Sequence, residues 1–186
     1  LALVVNDGPD PASAVVFTSN RAQANPILWS RKVAQNGHAR AIVLNSGGAN
    51  CFTGDFGYET TRLTAEAVAV AIGAAGAGAT GEPEDAERIL VCSTGLIGTG
   101  DQIFRDKIVS NIPALAAALS DDDATAPAAI LTTDSVEKTA THEGAGWRIG
   151  AMAKGAGMLA PGLATMLVVI TTDAKIDDAA ADRALR

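Results

Sequence analysis

The stretch Lys154–Thr172, KGAGMLAPGLATMLVVITT, constrains this chain more than any other. It sets a lysine, glycines, a proline and Leu163-Ala164-Thr165 directly ahead of the β-branched run Leu167–Thr172. That run is short, continuous and apolar, and reads as a fully buried strand, not an alternating edge strand. Thr165 then stands where an irregular loop enters a sheet, a place where a hydroxyl can be held rigidly and pointed into a cleft. A plain Gly/Pro loop feeding a core strand is the alternative at this point.

The chain has 186 residues, 48% of them hydrophobic but only 4% aromatic, so one unit with a core of Ala, Val, Leu and Ile is expected. A net charge of −7 argues against a nucleic-acid partner, because phosphate neutralisation needs clustered Lys and Arg. Two cysteines, Cys51 and Cys92, offer no disulfide framework and no zinc spacing. They point to a reducing, cytoplasmic compartment. No run of about eighteen apolar residues exists to span a membrane. The opening Leu1–Val5 looks like the middle of a strand and Arg183–Arg186 lies inside a helical pattern, so a fragment is expected.

In chain order, Leu1–Val5 and Ala14–Phe17 read as a hairpin-like strand pair with a long loop. A helix begins at Asn25-Pro26, with Asn as cap, Pro in the first turn, Gly37 closing it and Ile27, Leu28 and Ala34 buried. Ala41–Leu44 is a short buried strand, followed by the loop Asn45–Cys51. Tyr58 to about Ala75 is a helix with Leu63, Ala67, Val70 and Ala74 inward, and Gly76–Glu84 is a loop. Ile89–Cys92 is a strand running into Ser93–Gly98. Helices follow from Asp101, over Pro113–Leu119, and from the acidic Asp121-Asp122-Asp123 to Leu131, ended by Thr132-Thr133-Asp134. Val136–Thr141 and Trp147–Met152 pair around a His142–Gly146 turn, and Ile176–Arg186 starts one more helix. The fold class is α/β, with mixed sheets layered with helices.

Few residues announce chemistry alone. Asn45–Cys51 has glycines and small polar residues that suit an anion loop, but it lacks the P-loop lysine and the GxGxxG spacing, which favours a tight strand-to-helix turn. Neither His38 nor His142 stands in a recognisable relation to Cys51, so both thiols read as core and both histidines as surface. Thr94-Gly95 ends a strand with a hydroxyl and an adjacent N–H, the parts of an oxyanion hole, though Ser-Thr-Gly is also an ordinary turn. Lys154 among glycines can meet a carboxylate, where surface exposure is the default for lysine. No His/Cys/Asp/Glu set has metal spacing.

Four patterns in order, Leu44–Asn50, Cys92–Gly98, Thr132–Asp134 and Lys154–Leu167, together resemble the ornithine acetyltransferase family, also called glutamate N-acetyltransferase of arginine biosynthesis. The resemblance implies a precursor that cuts itself at Ala164–Thr165 into α (1–164) and β (from 165) segments, with an α2β2 assembly. It implies Thr165 as nucleophile, Thr94 and Gly95 as oxyanion hole, and Lys154 and Thr133 as substrate contacts, with Thr132 as the alternative to Thr133. The substrates are N-acetylornithine and glutamate, some members also using acetyl-CoA, and no cofactor is implied. The freed α-amine of Thr165, with a pKa of about 7.7–8.0 before perturbation, can then serve as the base that a threonine nucleophile needs. Family chains are considerably longer, so the fold and site are expected to be incomplete in this segment. A sequence that runs through Ala164–Thr165 is expected to be an unprocessed precursor, or two pieces in one chain. Two other readings compete: a self-processing aminopeptidase or amidase passing the acyl group to water, and a non-catalytic domain binding an anion at Asn45–Cys51.

Overall fold

The architecture comes from a computed structural model that describes residues 1–10, 12–74, 85–121, 124–155 and 165–186. Two three-stranded sheets form it. In the first, β1 (Ala2–Val5) lies antiparallel to β2 (Ala41–Gly48), which lies parallel to β3 (Ile89–Leu96). In the second, β4 (Lys138–Gly144), β5 (Trp147–Lys154) and β6 (Leu167–Thr172) form an antiparallel meander. The helices are α1 (Asn25–Ala34), α2 (Gly54–Ala74), α3 (Gln102–Val109), α4 (Ile112–Ala117), α5 (Ala126–Ala129) and α6 (Asp178–Leu185). A parallel pair needs a crossover, and α2 supplies the one between β2 and β3.

Side-chain alternation sorts the layers. On β1 and β2, Leu3, Ala41 and Val43 face α1, α2 and α4 in one apolar cluster with Trp29, Val68 and Ile72. Ala2 and Leu44 face the other way and meet Met152 and Val169 of the second sheet, with Ile130 beside them. The first sheet is thus covered on both faces, by helices and by the second sheet. The helical side is fastened by side chains: Trp29 Nε1 donates to Ile89 O at 2.9 Å and Ser30 Oγ to Val91 O at 2.8 Å. Ser30 Oγ also accepts from Val91 N at 2.9 Å.

Several expectations need correction. Ala14–Phe17 is not a strand; Ala12 bridges His38 and Ser13 N–H bonds Gly37 O, which carries the segment along the end of α1 and away from β1. An apolar run needs a neighbouring edge as well as propensity. Asn25 lies inside α1 and does not cap it; its Nδ2 donates instead to Thr53 Oγ1 at 2.9 Å. The buried side of α1 is Pro26, Trp29, Ser30 and Val33, and Leu28 is exposed. Helix α2 starts at Gly54 and buries Ala65, Val68, Ala69 and Ile72, while Val70 faces solvent. The loop expected at Asn45–Cys51 is strand as far as Gly48, in register with Ser93–Leu96. His142 belongs to β4, so the turn is tighter than expected. Among the described residues of the segment expected to run from Asp121 to Leu131, only Ala126–Ala129 is helical.

The largest correction concerns β6. It was expected to be buried on both faces, yet Val169 alone is buried, while Val168 is 47% and Ile170 50% exposed. The second sheet has one covered face and one open one. The loop Gly76–Glu84, Asp122, Asp123 and the segment through Ala164 lie outside the described residues.

Candidate active site

Strand parity brings the site together. On β3, Thr94 lies two residues beyond Cys92, whose side chain abuts the layer between the sheets. On β5, Lys154 lies two residues beyond the inward Met152. Residues two apart share a face, so Thr94 and Lys154 point toward each other across that layer. Lys154 Nζ donates to Thr94 Oγ1 at 3.1 Å. Thr165 precedes Leu167 and Val169 with the same parity, and Leu167 pairs with Lys154. A cavity of about 1000 Å³ opens at this end of the sheets, and Thr94, Gly95, Thr132, Thr133, Lys154 and Thr165 all line it.

The default expectation of a surface lysine fails at Lys154. It is 4% exposed and Thr94 is 1% exposed, so both form the cavity wall just beneath its surface. A buried ammonium must be hydrogen-bonded and compensated. Besides Thr94, Lys154 Nζ donates to Thr132 Oγ1 at 2.5 Å and lies 3.7 Å from Asp134 Oδ2. Of the two candidate threonines, Thr132 therefore touches the lysine, while Thr133 is exposed at the cavity.

Asp134 is a residue whose part sequence reasoning missed. Its side chain has no solvent contact, although it sits shallowly, because donors cover it. Lys138 Nζ donates to it at 2.6 Å and Gly155 N at 2.7 Å. These hydrogen bonds, Lys138 foremost, hold the carboxyl well below the usual carboxylate range. Thr-Thr-Asp gave no sign of this, since the lysine it serves comes twenty residues later in the chain.

Gly95 sits opposite Gly47 in the parallel ladder. Its φ is +119°, and a Cβ there would lie 2.5 Å from the Gly47 carbonyl carbon. Only glycine fits both the conformation and the approach. The peptide following Thr94 is thereby set at the cavity wall.

The thiols are not activated. Burial pushes the Cys51 thiol up and the Cys92 thiol up to about 12. What accessible surface Cys92 has faces the cavity it lines. His38 and His142 are exposed, the latter against Trp147. Among the described residues there is no cluster fit to hold a metal ion, and no helix long and apolar enough to cross a membrane.

Comparison with known proteins identifies the family. The ArgJ family profile matches residues 1–186. The chain belongs to the ArgJ family. Over 187 residues it is 52% identical to the arginine biosynthesis bifunctional protein ArgJ of Streptomyces coelicolor, covering 100% of this chain and 46% of that protein. It is 50% identical over 191 residues to that of Mycobacterium tuberculosis, covering 100% and 45%. This ArgJ-family chain thus spans about half the length of the curated relatives it matches. Among solved structures it resembles ornithine acetyltransferase from Mycobacterium tuberculosis complexed with ornithine, at 43% identity and TM-score 0.80, over 87% of this chain and 82% of that one. It also resembles the arginine biosynthesis bifunctional protein ArgJ of Bacillus halodurans, at 26% identity and TM-score 0.66, over 87% and 81%. The layered α/β fold is that of solved ArgJ-family members.

Proposed function

We propose that this chain is the α segment and the start of the β segment of a self-processing glutamate N-acetyltransferase acting in arginine biosynthesis. In this reading the Thr165 hydroxyl attacks the Ala164 carbonyl, the Ala164–Thr165 amide bond breaks and frees the Thr165 amine, and hydrolysis of the resulting ester releases the Ala164 carboxylate and restores the Thr165 hydroxyl. The two segments then stay together as an α2β2 enzyme of the cytoplasm.

The reaction is ping-pong. Thr165 Oγ attacks the acetyl carbonyl of N-acetylornithine while its own α-amine takes the hydroxyl proton. Thr94 O–H and Gly95 N–H stabilise the oxyanion, a role typically worth about 3–4 kcal/mol for each donor. The intermediate collapses with the proton passing to the departing amine of ornithine, leaving acetyl-Thr165. The glutamate amine attacks that ester through the same steps. Lys154 and Thr133, or Thr132 in its place, hold the amino-acid carboxylate, and acetyl-CoA is a further candidate donor.

The observation that carries this reading is the buried Lys154–Thr94 pair on the cavity that Thr165 also lines.

Intact mass and acetyl transfer on the full-length protein, beside its Thr165→Ala variant, test the proposal. The wild type should yield two fragments, the second beginning at Thr165, and should make N-acetylglutamate from N-acetylornithine. The variant should stay whole and lose at least about 10⁴-fold in transfer. A wild type that remains uncut overturns the mechanism. Acetate release indifferent to glutamate assigns the site to an amidase instead.

A further inference from the structure

The hydrogen bonds of Lys154 point to a role that a carboxylate contact does not describe. An ammonium has three N–H donors and no acceptor. One donor goes to Thr94 Oγ1 at 3.1 Å and one to Thr132 Oγ1 at 2.5 Å, and the Asp134 carboxylate stands 3.7 Å away. Asp134 is held back from a tighter pair by Lys138 and by Gly155 N–H, at 2.6 and 2.7 Å. The ammonium is compensated yet stays turned toward the two hydroxyls.

A hydroxyl that accepts from an ammonium must aim its own proton elsewhere. Among the described residues Thr94 donates to no acceptor, and it lines the cavity. A hydroxyl whose oxygen accepts from a cation is polarised into a stronger donor, and the dry surroundings enlarge the effect. Thr94 is 1% and Lys154 4% exposed, so water does not compete for either.

We propose that Lys154 is a positioning residue of the oxyanion hole: it fixes and polarises the Thr94 hydroxyl so that its proton faces the cavity, with Asp134 as the counter-charge that keeps the ammonium in place. This rests on the reading of Thr94 as an oxyanion donor. Lys154 then acts on the transition state through Thr94, and not solely on the bound amino acid. Proton count is unchanged at every step, because Lys154 donates hydrogen bonds and transfers no proton.

A double-mutant cycle in kcat, on the full-length processed enzyme with N-acetylornithine and glutamate saturating, tests the proposal. Thr94→Val should lower kcat about 10²-fold and Lys154→Met about 10-fold to 10²-fold. The double variant should be no slower than Thr94→Val alone, because Lys154 has nothing to act through once the hydroxyl is gone. Thr94→Ser, which keeps the hydroxyl, should keep most of kcat and its dependence on Lys154. A Lys154→Met effect confined to KM, or losses that multiply in the double variant, overturns the inference and leaves the transferase reading standing. Unchanged kcat in Thr94→Val removes the oxyanion assignment and the inference with it. Should Lys154→Met fail to accumulate, Lys154→Gln, which keeps N–H donors without the charge, is carried through the same cycle with the same expectations.

Discussion

The two sheets of this molecule have the same number of strands and very different surroundings. The first is walled by helices on one side and by the second sheet on the other, and Val43, Leu44 and Ile89 within it are at most 1% exposed. The second has one covered face, and its outer strand β4 is exposed nearly throughout. Its further fastenings include the ion pairs of Asp134 with Lys138 and of Arg148 with Glu143. The candidate site takes Thr94 and Gly95 from the first sheet and Lys154 and Thr165 from the strand ends of the second. The proposed oxyanion donors thus sit on the layer covered on both faces, and the proposed nucleophile sits on the layer with fewer apolar contacts. The Thr94–Lys154 hydrogen bond spans the junction.

This contrast can be broken by substitution. Ile89→Ala empties a fully enclosed position and should cost about 2–5 kcal/mol in urea unfolding. Ile170→Ala, half exposed on β6, should cost within about 0.5 kcal/mol. Equal costs would mean that the open face of the second sheet is covered in solution. Next in size is Gly95→Ala. The added methyl meets the Gly47 backbone at a φ reserved for glycine, and a loss of about 1–3 kcal/mol is expected with transfer activity reduced in parallel. Wild-type stability with Ala at this position would show that β2 and β3 can move apart there.

Acid sharpens the same contrast, since apolar burial does not titrate. The Asp134 carboxyl is held below its ordinary value in the folded chain. Its contribution is therefore present above the unfolded pKa of about 3.9 and is lost as pH falls below it. Asp134→Asn should be less stable than wild type near neutrality, and the difference should shrink in unfolding curves taken below about pH 4. A gap that stays constant with pH would assign Asp134 a packing role only. The smallest effect belongs to Arg148→Ala, whose exposed pair with Glu143 should be worth no more than about 0.5 kcal/mol and vanish in high salt.

Most strands were legible in the sequence, Ala14–Phe17 being read as one that is absent, and their faces were not. Ala41–Leu44 and Ile89–Cys92 announce strands by their β-branched runs, and both are inner walls. Leu167–Thr172 has a similar composition and four of its six residues are exposed, because periodicity cannot tell two covering layers from one. Helix α2 misled for a related reason. With alanine or valine at most positions from Ala65 to Ala74, several stripes look alike, and the buried one runs through Ala65, Val68 and Ile72 instead of Leu63, Ala67 and Val70. Thr94, Gly95, Lys154 and Thr165 stood out singly beside bland alternatives, and only the family resemblance joined them into one candidate site. Burial of Lys154 and the carboxylate beside it depend on two sheets meeting, which no local pattern encodes.

Ser30 and Trp29 have a consequence for the protein's solution behaviour. Among the described residues β3 is the last strand of its sheet, and such a strand offers a row of unpaired amides and carbonyls to any passing chain. Ser30 both gives and takes a hydrogen bond at Val91, and Trp29 occupies the Ile89 carbonyl. Two side chains of one helix thus imitate the edge of a fourth strand. At Ile89 and Val91 the border of the sheet is already hydrogen-bonded, and Ser30→Ala would leave the Val91 amide and carbonyl without that partner.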